Sequence, residues 1–239
     1  MINIENLNFE YENKTIFKNL NLKIDDNKIS IILGPNGAGK TTLVKLITNE
    51  IKTNNSIKNS FKKVFYLPQN PYYPKGITTF DYVSSVFYKN NWKWFLSTNE
   101  KEKIKEVLTL LELEDKKEVK IENLSGGEIQ KANIALGLLS GADLFLLDEP
   151  TSNMDIINSI KIFDILKKLL EKNITSIIIT HDINLSIKYG DDFIGINKHN
   201  EIIKGDKNSF FNNENLYKIF GINFEIIKDN EKIFIQTIN

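Results

Sequence analysis

Neither cysteine nor arginine occurs in the 239 residues of this chain. Without cysteine there is no disulfide framework and no thiolate metal site, and the compartment is left open. Without arginine all 31 basic residues are lysine, so no arginine finger can come from this chain. Net charge is also lacking, because 31 Asp and Glu balance the lysines. The basic excess usual in nucleic-acid-binding proteins is therefore missing, and nucleic acid is not expected as a partner. No uncharged apolar run is long enough to span a bilayer. The N-terminus, Met1 to Phe9, alternates like a strand and has no basic-then-apolar signal pattern. These absences predict a chain that is soluble by itself and that needs a partner to hold it at any membrane. Internal repeats, Pro-rich linkers and low-complexity tails are missing as well. Lysine in place of arginine, beside abundant Asn and Ile, reads as a coding bias. What remains is 41% hydrophobic and 26% charged, enough for one α/β domain with a sizeable core.

The chemistry begins at Gly34-Pro35-Asn36-Gly37-Ala38-Gly39-Lys40-Thr41-Thr42. Gly34, Gly39, Lys40 and Thr41 meet the spacing G-x-x-x-x-G-K-[ST], a loop whose backbone N–H groups converge on phosphate oxygens. Lys40 is expected to reach the β- and γ-phosphates and Thr41 to place its hydroxyl on Mg²⁺. The context fits: Ile29 to Leu33 is a buried-strand run, and helical spacing opens at Thr42. Phosphates would then lie at a helix N-terminus, where the dipole favours negative charge.

Other strand runs are Ile2 to Phe9, Ile16 to Ile24, Val64 to Leu67, Leu144 to Leu147 and Ser176 to Ile179. The stretch from about Asn70 to Gly141 reads as largely helical, with Ile104, Val107, Leu108 and Leu111 on one face. Ile156 to Lys172 is an amphipathic helix between two apolar strands, which implies a parallel sheet with right-handed crossovers. Phe224 to Ile238 reads as a hairpin turning near Asp229-Asn230. Leu144-Phe145-Leu146-Leu147-Asp148-Glu149 is a strand ending in two acids, which emerge at its C-terminal edge. Asp148 would hold Mg²⁺ opposite Thr41, and Glu149 would orient and deprotonate an attacking water.

Leu124-Ser125-Gly126-Gly127-Glu128 resembles the signature sequence of ATP-binding cassette (ABC) ATPases, with Glu128 in place of the usual Gln. Physically it is a second helix N-terminus built as an anion cradle. The family's other landmarks follow in order. Leu67-Pro68-Gln69 matches its glutamine loop, Ser152-Asn153-Met154-Asp155 the loop after the acids, and Ile179-Thr180-His181-Asp182 its switch histidine. The resemblance covers roughly residues 2 to 210. It implies an α/β P-loop NTPase with a RecA-like core, an antiparallel β subdomain and a helical signature subdomain at about residues 72–141. Residues 1–239 would form one cassette, with a C-terminal hairpin at about 222–238. It further implies that ATP and Mg²⁺ are bound and that two copies pair head to tail. Ser125, Gly126 and Gly127 would then close over the γ-phosphate held by the other copy. Gln69 would reach Mg²⁺ or the attacking water, His181 would bond the γ-phosphate and hold Glu149, and Asp155 would link the two sites. Tyr11 matches the aromatic that stacks on adenine, with a core aromatic as the competing reading.

Departures are few. The segment between Lys40 and Gln69 is shorter than usual, which predicts a trimmed antiparallel subdomain. Lys131 stands where the family commonly has Arg. The runs His181-Asp182-Ile183-Asn184-Leu185-Ser186 and Leu216 to Ile227 are similar to subunits for iron–siderophore, haem and cobalamin uptake. That likeness implies the ATPase of an importer, peripheral on the cytoplasmic face of the cell membrane. Its partners would be a second cassette (identical or not), integral permease subunits and, indirectly, an extracytoplasmic substrate-binding protein. An exporter ATPase and a soluble non-transport ATPase, for example in iron–sulfur assembly, stay open. Trp92, Trp94 and Phe95 are read either as a permease-docking patch or as buried subdomain aromatics.

Overall fold

The computed structural model describes residues 1–11, 14–53, 56–88, 95–152, 154–229 and 232–237. Two long strands open the chain, β1 (Ile2–Tyr11) and β2 (Lys14–Ile24), followed by the short β3 (Ile29–Leu33) and the helix α1 (Lys40–Ile47). Then come β4 (Ile57–Asn59), β5 (Val64–Leu67), and the helices α2 (Thr79–Tyr88), α3 (Thr98–Leu110) and α4 (Gly126–Ser140). The alternating part comprises β6 (Leu144–Asp148), α5 (Ile156–Leu170), β7 (Thr175–Ile179), α6 (Ile183–Tyr189), β8 (Asp192–Ile196) and β9 (Ile202–Gly205). Helices α7 (Lys207–Phe210) and α8 (Asn213–Phe220) lead to the hairpin β10 (Phe224–Asp229) and β11 (Lys232–Thr237).

The central sheet has the order β5-β6-β7-β3-β8-β9, parallel except for the antiparallel edge strand β9. Strands β3, β6, β7 and β8 are buried at every residue, which is why they read as continuous apolar runs rather than alternations. Their side chains divide by the two-residue period. Phe145, Leu147, Ile178, Ile29 and Ile31 join one core, which also takes in the helical subdomain. Leu144, Leu146, Ile177, Ile179 and Ile32 join the other, with α1 and the antiparallel sheet. That second sheet has the order β2-β1-β4. Among the described residues β4 pairs with β1 through three positions, Ile57, Lys58 and Asn59.

Strand ends match the sequence runs closely, while several helices start elsewhere. The first helix of the 70–141 stretch begins at Thr79, after an irregular segment that follows Gln69. Ser97 caps α3 through a capping box with Glu100, which fixes that helix start ahead of its apolar spacing. The tail hairpin is present, with Asp229 opposite Lys232, and its expected turn residue Asn230 lies outside the described residues.

Candidate functional site

Four neighbouring strands of the sheet, β5, β6, β7 and β3, each end at a residue expected to carry chemistry. Gln69 follows β5, Asp148 closes β6 and Glu149 follows it, His181 follows β7, and the phosphate loop follows β3. Strand order alone therefore brings together segments that are up to 147 residues apart, Gly34 and His181. They border a cleft of ≈ 490 Å³ lined by Asn36, Lys40, Thr41, Gln69, Glu149 and His181, among others.

The phosphate loop is shaped by close approach. At Gly34 φ is +156°, and a β-carbon there would stand 2.2 Å from the backbone oxygen of Ile196. Gly39 (φ +91°) caps α1 in the left-handed region, with Ile16 and Phe17 packed against it. Lys40 is buried, and its Nζ donates to the carbonyls of Gly34 (2.9 Å) and Pro35 (3.0 Å). Burial lowers the Lys40 pKa, and the negative charges of Glu149 and Asp148 oppose that shift. The ammonium is thus poorly solvated and hydrogen-bonded to two neutral carbonyls, a state that an arriving phosphate relieves.

Asp148 is 4% exposed and accepts a hydrogen bond from Thr41 Oγ1 at 2.7 Å. Burial raises its pKa; the Thr41 bond and Lys40 oppose the rise and Glu149 adds to it. A hydroxyl and a buried carboxylate side by side are hard oxygen donors. They suit a Mg²⁺ ion that takes most of its remaining ligands from phosphate and water. Among the described residues no group of three or more His, Asp or Glu could hold a metal ion.

Glu149 has a left-handed backbone (φ 50°), which costs of order 1 kcal/mol or more for a residue with a β-carbon. Its N–H still donates to Ile179 O at 2.9 Å, so the turn occurs while the residue stays anchored to β7. The carboxylate accepts from Gln69 Nε2 at Oε2 (2.7 Å), and its Oε1 lies 3.0 Å from His181 Nε2. Both oxygens are therefore aimed by side chains from the flanking strands. The Asp182 side chain accepts from Leu185 N (2.8 Å) and starts α6, which fixes the loop that carries His181.

The segment Leu124–Glu128 is built as expected but lies elsewhere. Ser125 caps α4 in a capping box with Glu128, and no residue of Leu124 to Glu128 lines the cleft. Asp155 caps α5, accepting from Asn158 N and Nδ2, both at 2.8 Å. Asn158 in turn abuts Gly127, where an added β-carbon would lie 3.3 Å from Asn158 Cγ. Asn158 was not legible from the sequence, because its role depends on how α5 meets α4. Tyr11 is 57% exposed near the end of β1 and does not line the cleft, whereas Ile16 does. Ile16 had been legible only as a strand residue. The carbonyls of Gly34 and Pro35 hold Lys40, Pro35 O also accepts from the Ala38 N–H at 3.3 Å, and Thr42 lines the cleft. Lys131 is paired with Glu112 at 2.8 Å. Phe95 is 85% exposed, and Trp92 and Trp94 lie outside the described residues, as does Asn153.

The sequence profile of the ABC transporter family matches residues 17–152, a span that includes the phosphate loop, the signature segment and both acids. The chain belongs to the ABC transporter family. The iron(3+)-hydroxamate import ATP-binding protein FhuC of Bacillus subtilis is 30% identical, covering 95% of this chain and 90% of its own length. The zinc import ATP-binding protein ZnuC of Rickettsia conorii is 33% identical over 83% of this chain and 84% of its own. Among solved structures, a chain of an inward-facing ABC transporter assigned to the metal-chelate type superposes with a TM-score of 0.87 at 26% identity, covering 99% and 96% of the two chains. The cassette MJ0796, solved as a dimer in a post-hydrolysis state with ADP and Pi, gives 0.73 at 25% identity, covering 87% and 99%. This ABC cassette is thus a nucleotide-binding ATPase of P-loop fold. Among the described residues no helix is long and apolar enough to cross a membrane.

Proposed function

We propose that this cassette is the ATP-hydrolysing motor of an importer for metal-chelate compounds of the iron–siderophore, haem or cobalamin kind. Residues 1–239 would act as one cassette, peripheral on the cytoplasmic face of the membrane and docked on a separate permease. The observation that carries the hydrolytic assignment is the bracketing of the Glu149 carboxylate by Gln69 and His181, beside the Thr41–Asp148 pair. The importer assignment rests on the match to the iron-hydroxamate relative along nearly the whole chain. Phe95, open to solvent in the helical subdomain, is a candidate part of the permease contact.

In this reading Lys40 leaves the carbonyls of Gly34 and Pro35 for the β- and γ-phosphates. Mg²⁺, when bound, would neutralise charge on those phosphate oxygens, held by Thr41 and Asp148 with Gln69 at its edge. Glu149 takes a proton from the attacking water, aimed by Gln69 and His181, and His181 also bonds the γ-phosphate. Tyr11, exposed at the end of β1, is the aromatic to be tested against adenine. The signature residues lie outside the chain's own cleft, which supports their use by a second copy. Two copies related by a two-fold axis would then enclose two equivalent nucleotides. The closed dimer is favoured by ATP because its γ-phosphate contacts both chains only there, and hydrolysis removes that bridge. Asp155 bonds the side chain of Asn158, which lies beside Gly127, and this supports a role for Asp155 in linking the two sites.

The test is capture of partners from mildly solubilised native membranes by tagged Glu149→Gln protein with ATP. Recovery of a multi-spanning permease with a substrate-binding protein supports the importer, and the ligand of that binding protein names the cargo. A binding protein that holds bare zinc instead of a chelate would favour the second reading, suggested by the zinc relative. Recovery of soluble partners alone would overturn both.

A further inference from the structure

Ser125 spends both of its donors on a neighbour of the wrong charge. Its N–H (2.8 Å) and its hydroxyl (2.9 Å) both bond the same oxygen, Oε2, of Glu128. In the proposed dimer these are the donors that must turn to the γ-phosphate held by the other copy. Glutamine, the usual family residue at this position, would compete with that phosphate as a neutral acceptor. An ionised Glu128 competes and repels, and its bonds to Ser125 favour the ionised form. The second oxygen, Oε1, lies 3.6 Å from Nζ of Lys116, which ends the 3₁₀ turn Glu114–Lys116. The adjacent Lys117 is directed instead to Glu114, at 3.2 Å. Lys116 therefore cancels part of the charge beside the anion cradle. It also offers the carboxylate a second place to bind once phosphate takes the donors of Ser125.

We propose that Lys116 is a positioning residue of the signature segment, acting through Glu128 to set how readily Ser125 releases its donors to the ATP of a second copy. The proposal rests on the reading of Leu124–Glu128 as the contact made across the dimer. Both side chains are partly open, 39% for Lys116 and 29% for Glu128, so the effect is that of a partly screened pair.

The experiment measures ATP-driven dimerisation by light scattering in the Glu149→Gln chain, with steady-state ATPase measured in the chain that keeps Glu149. Lys116→Met should raise the ATP concentration for half-maximal dimerisation and the KM for ATP by about three- to fivefold, with kcat at saturating ATP within about twofold of the parent. Lys116→Gln should give the same shift, and Lys116→Arg should restore the parent value. In a Glu128→Gln background Lys116→Met should change nothing, because no charge remains to be offset. A shift of equal size in both backgrounds, or none with Glu128 present, overturns the proposal. Gly126→Asp separates this from failure of the underlying reading, since a β-carbon at Gly126 meets no atom within 4 Å. Dimerisation that Gly126→Asp blocks but Lys116→Met leaves unmoved rejects the role of Lys116 alone. Dimerisation indifferent to Gly126→Asp rejects the signature contact, and the proposal with it.

Discussion

Replacing Glu149 by Gln changes one atom and asks whether that carboxylate is the base. The structure accommodates the amide well. Its oxygen can accept from Gln69 Nε2, as the carboxylate does at 2.7 Å, and its NH₂ can face His181 Nε2, where Glu149 Oε1 now stands at 3.0 Å. Both polar neighbours keep a partner, so the stability change should stay within about 0.5 kcal/mol. The left-handed backbone at φ 50° imposes the same strain on either residue. Nucleotide binding should persist for the same reason, because neither Lys40 nor the loop amides lose a contact. What the amide cannot do is accept the proton of the attacking water. Loss of a positioned general base costs about 10²- to 10⁴-fold in turnover, or roughly 3–5 kcal/mol of barrier. The assay is steady-state and single-turnover hydrolysis at saturating ATP, alongside binding of a fluorescent ATP analogue. Turnover above about one tenth of the parent, with binding intact, would refute Glu149 as base. Lost binding would refute the hydrogen-bond argument for the fold of the site.

Three further outcomes are expected. Gln69→Ala should lower kcat by about 10-fold with little change in KM, because Glu149 loses the donor that aims one oxygen while Lys40, Thr41 and Asp148 still hold the phosphates and Mg²⁺; a pure KM effect would oppose this. Asp148→Asn should abolish Mg²⁺-dependent hydrolysis yet raise the melting temperature of the nucleotide-free chain at neutral pH. Burial raises the Asp148 pKa, so the folded chain holds that proton more tightly than the unfolded one. Its contribution to stability is therefore present at low pH and lost as pH rises above the ordinary carboxylate range, and melts of Asp148→Asn across pH should lack that decline. Gly34→Ala should cost about 2–4 kcal/mol, or roughly 5–15 °C in a thermal melt, because its β-carbon would lie 2.2 Å from the Ile196 carbonyl oxygen. A drop under about 2 °C would show that the loop yields more easily than its packing suggests.

The parts of the site that were legible in the sequence are those written contiguously. A fully buried strand followed by a glycine loop, a strand ending in Asp148-Glu149, and a strand ending near His181 each carry their own physical signal. The strand bounds of β3 and β5 agree with their apolar runs to the residue. What could not be read is what strand order creates. Nothing near Gln69 announces that it will meet Glu149 eighty positions on, and the left-handed turn at Glu149 has no sequence signature of its own. Lys116 likewise looks like part of a solvated charged run until the turn beneath it is set against α4.

Asparagine carried more information than composition suggested. Its abundance reads as a coding bias. Yet Asn6, Asn19, Asn27, Asn49, Asn173 and Asn200 all hold left-handed backbones, leaving only Glu112 and Glu149 among the other non-glycine residues described. Asn is the residue that pays least for that conformation after glycine, since its short side chain can bond locally. On β1 and β2 the effect is concrete. Asn6 and Asn19 interrupt the ladder, and the side chains of Asn21 and Asn8 then accept from the N–H groups of Asn6 and Asn19, at 3.0 and 2.9 Å. The chain thus makes tight turns with few glycines. Against that background the left-handed Glu149 stands out: asparagine would be the cheaper residue there, and the proposed use of a carboxylate between Gln69 and His181 is a reason for glutamate at that position.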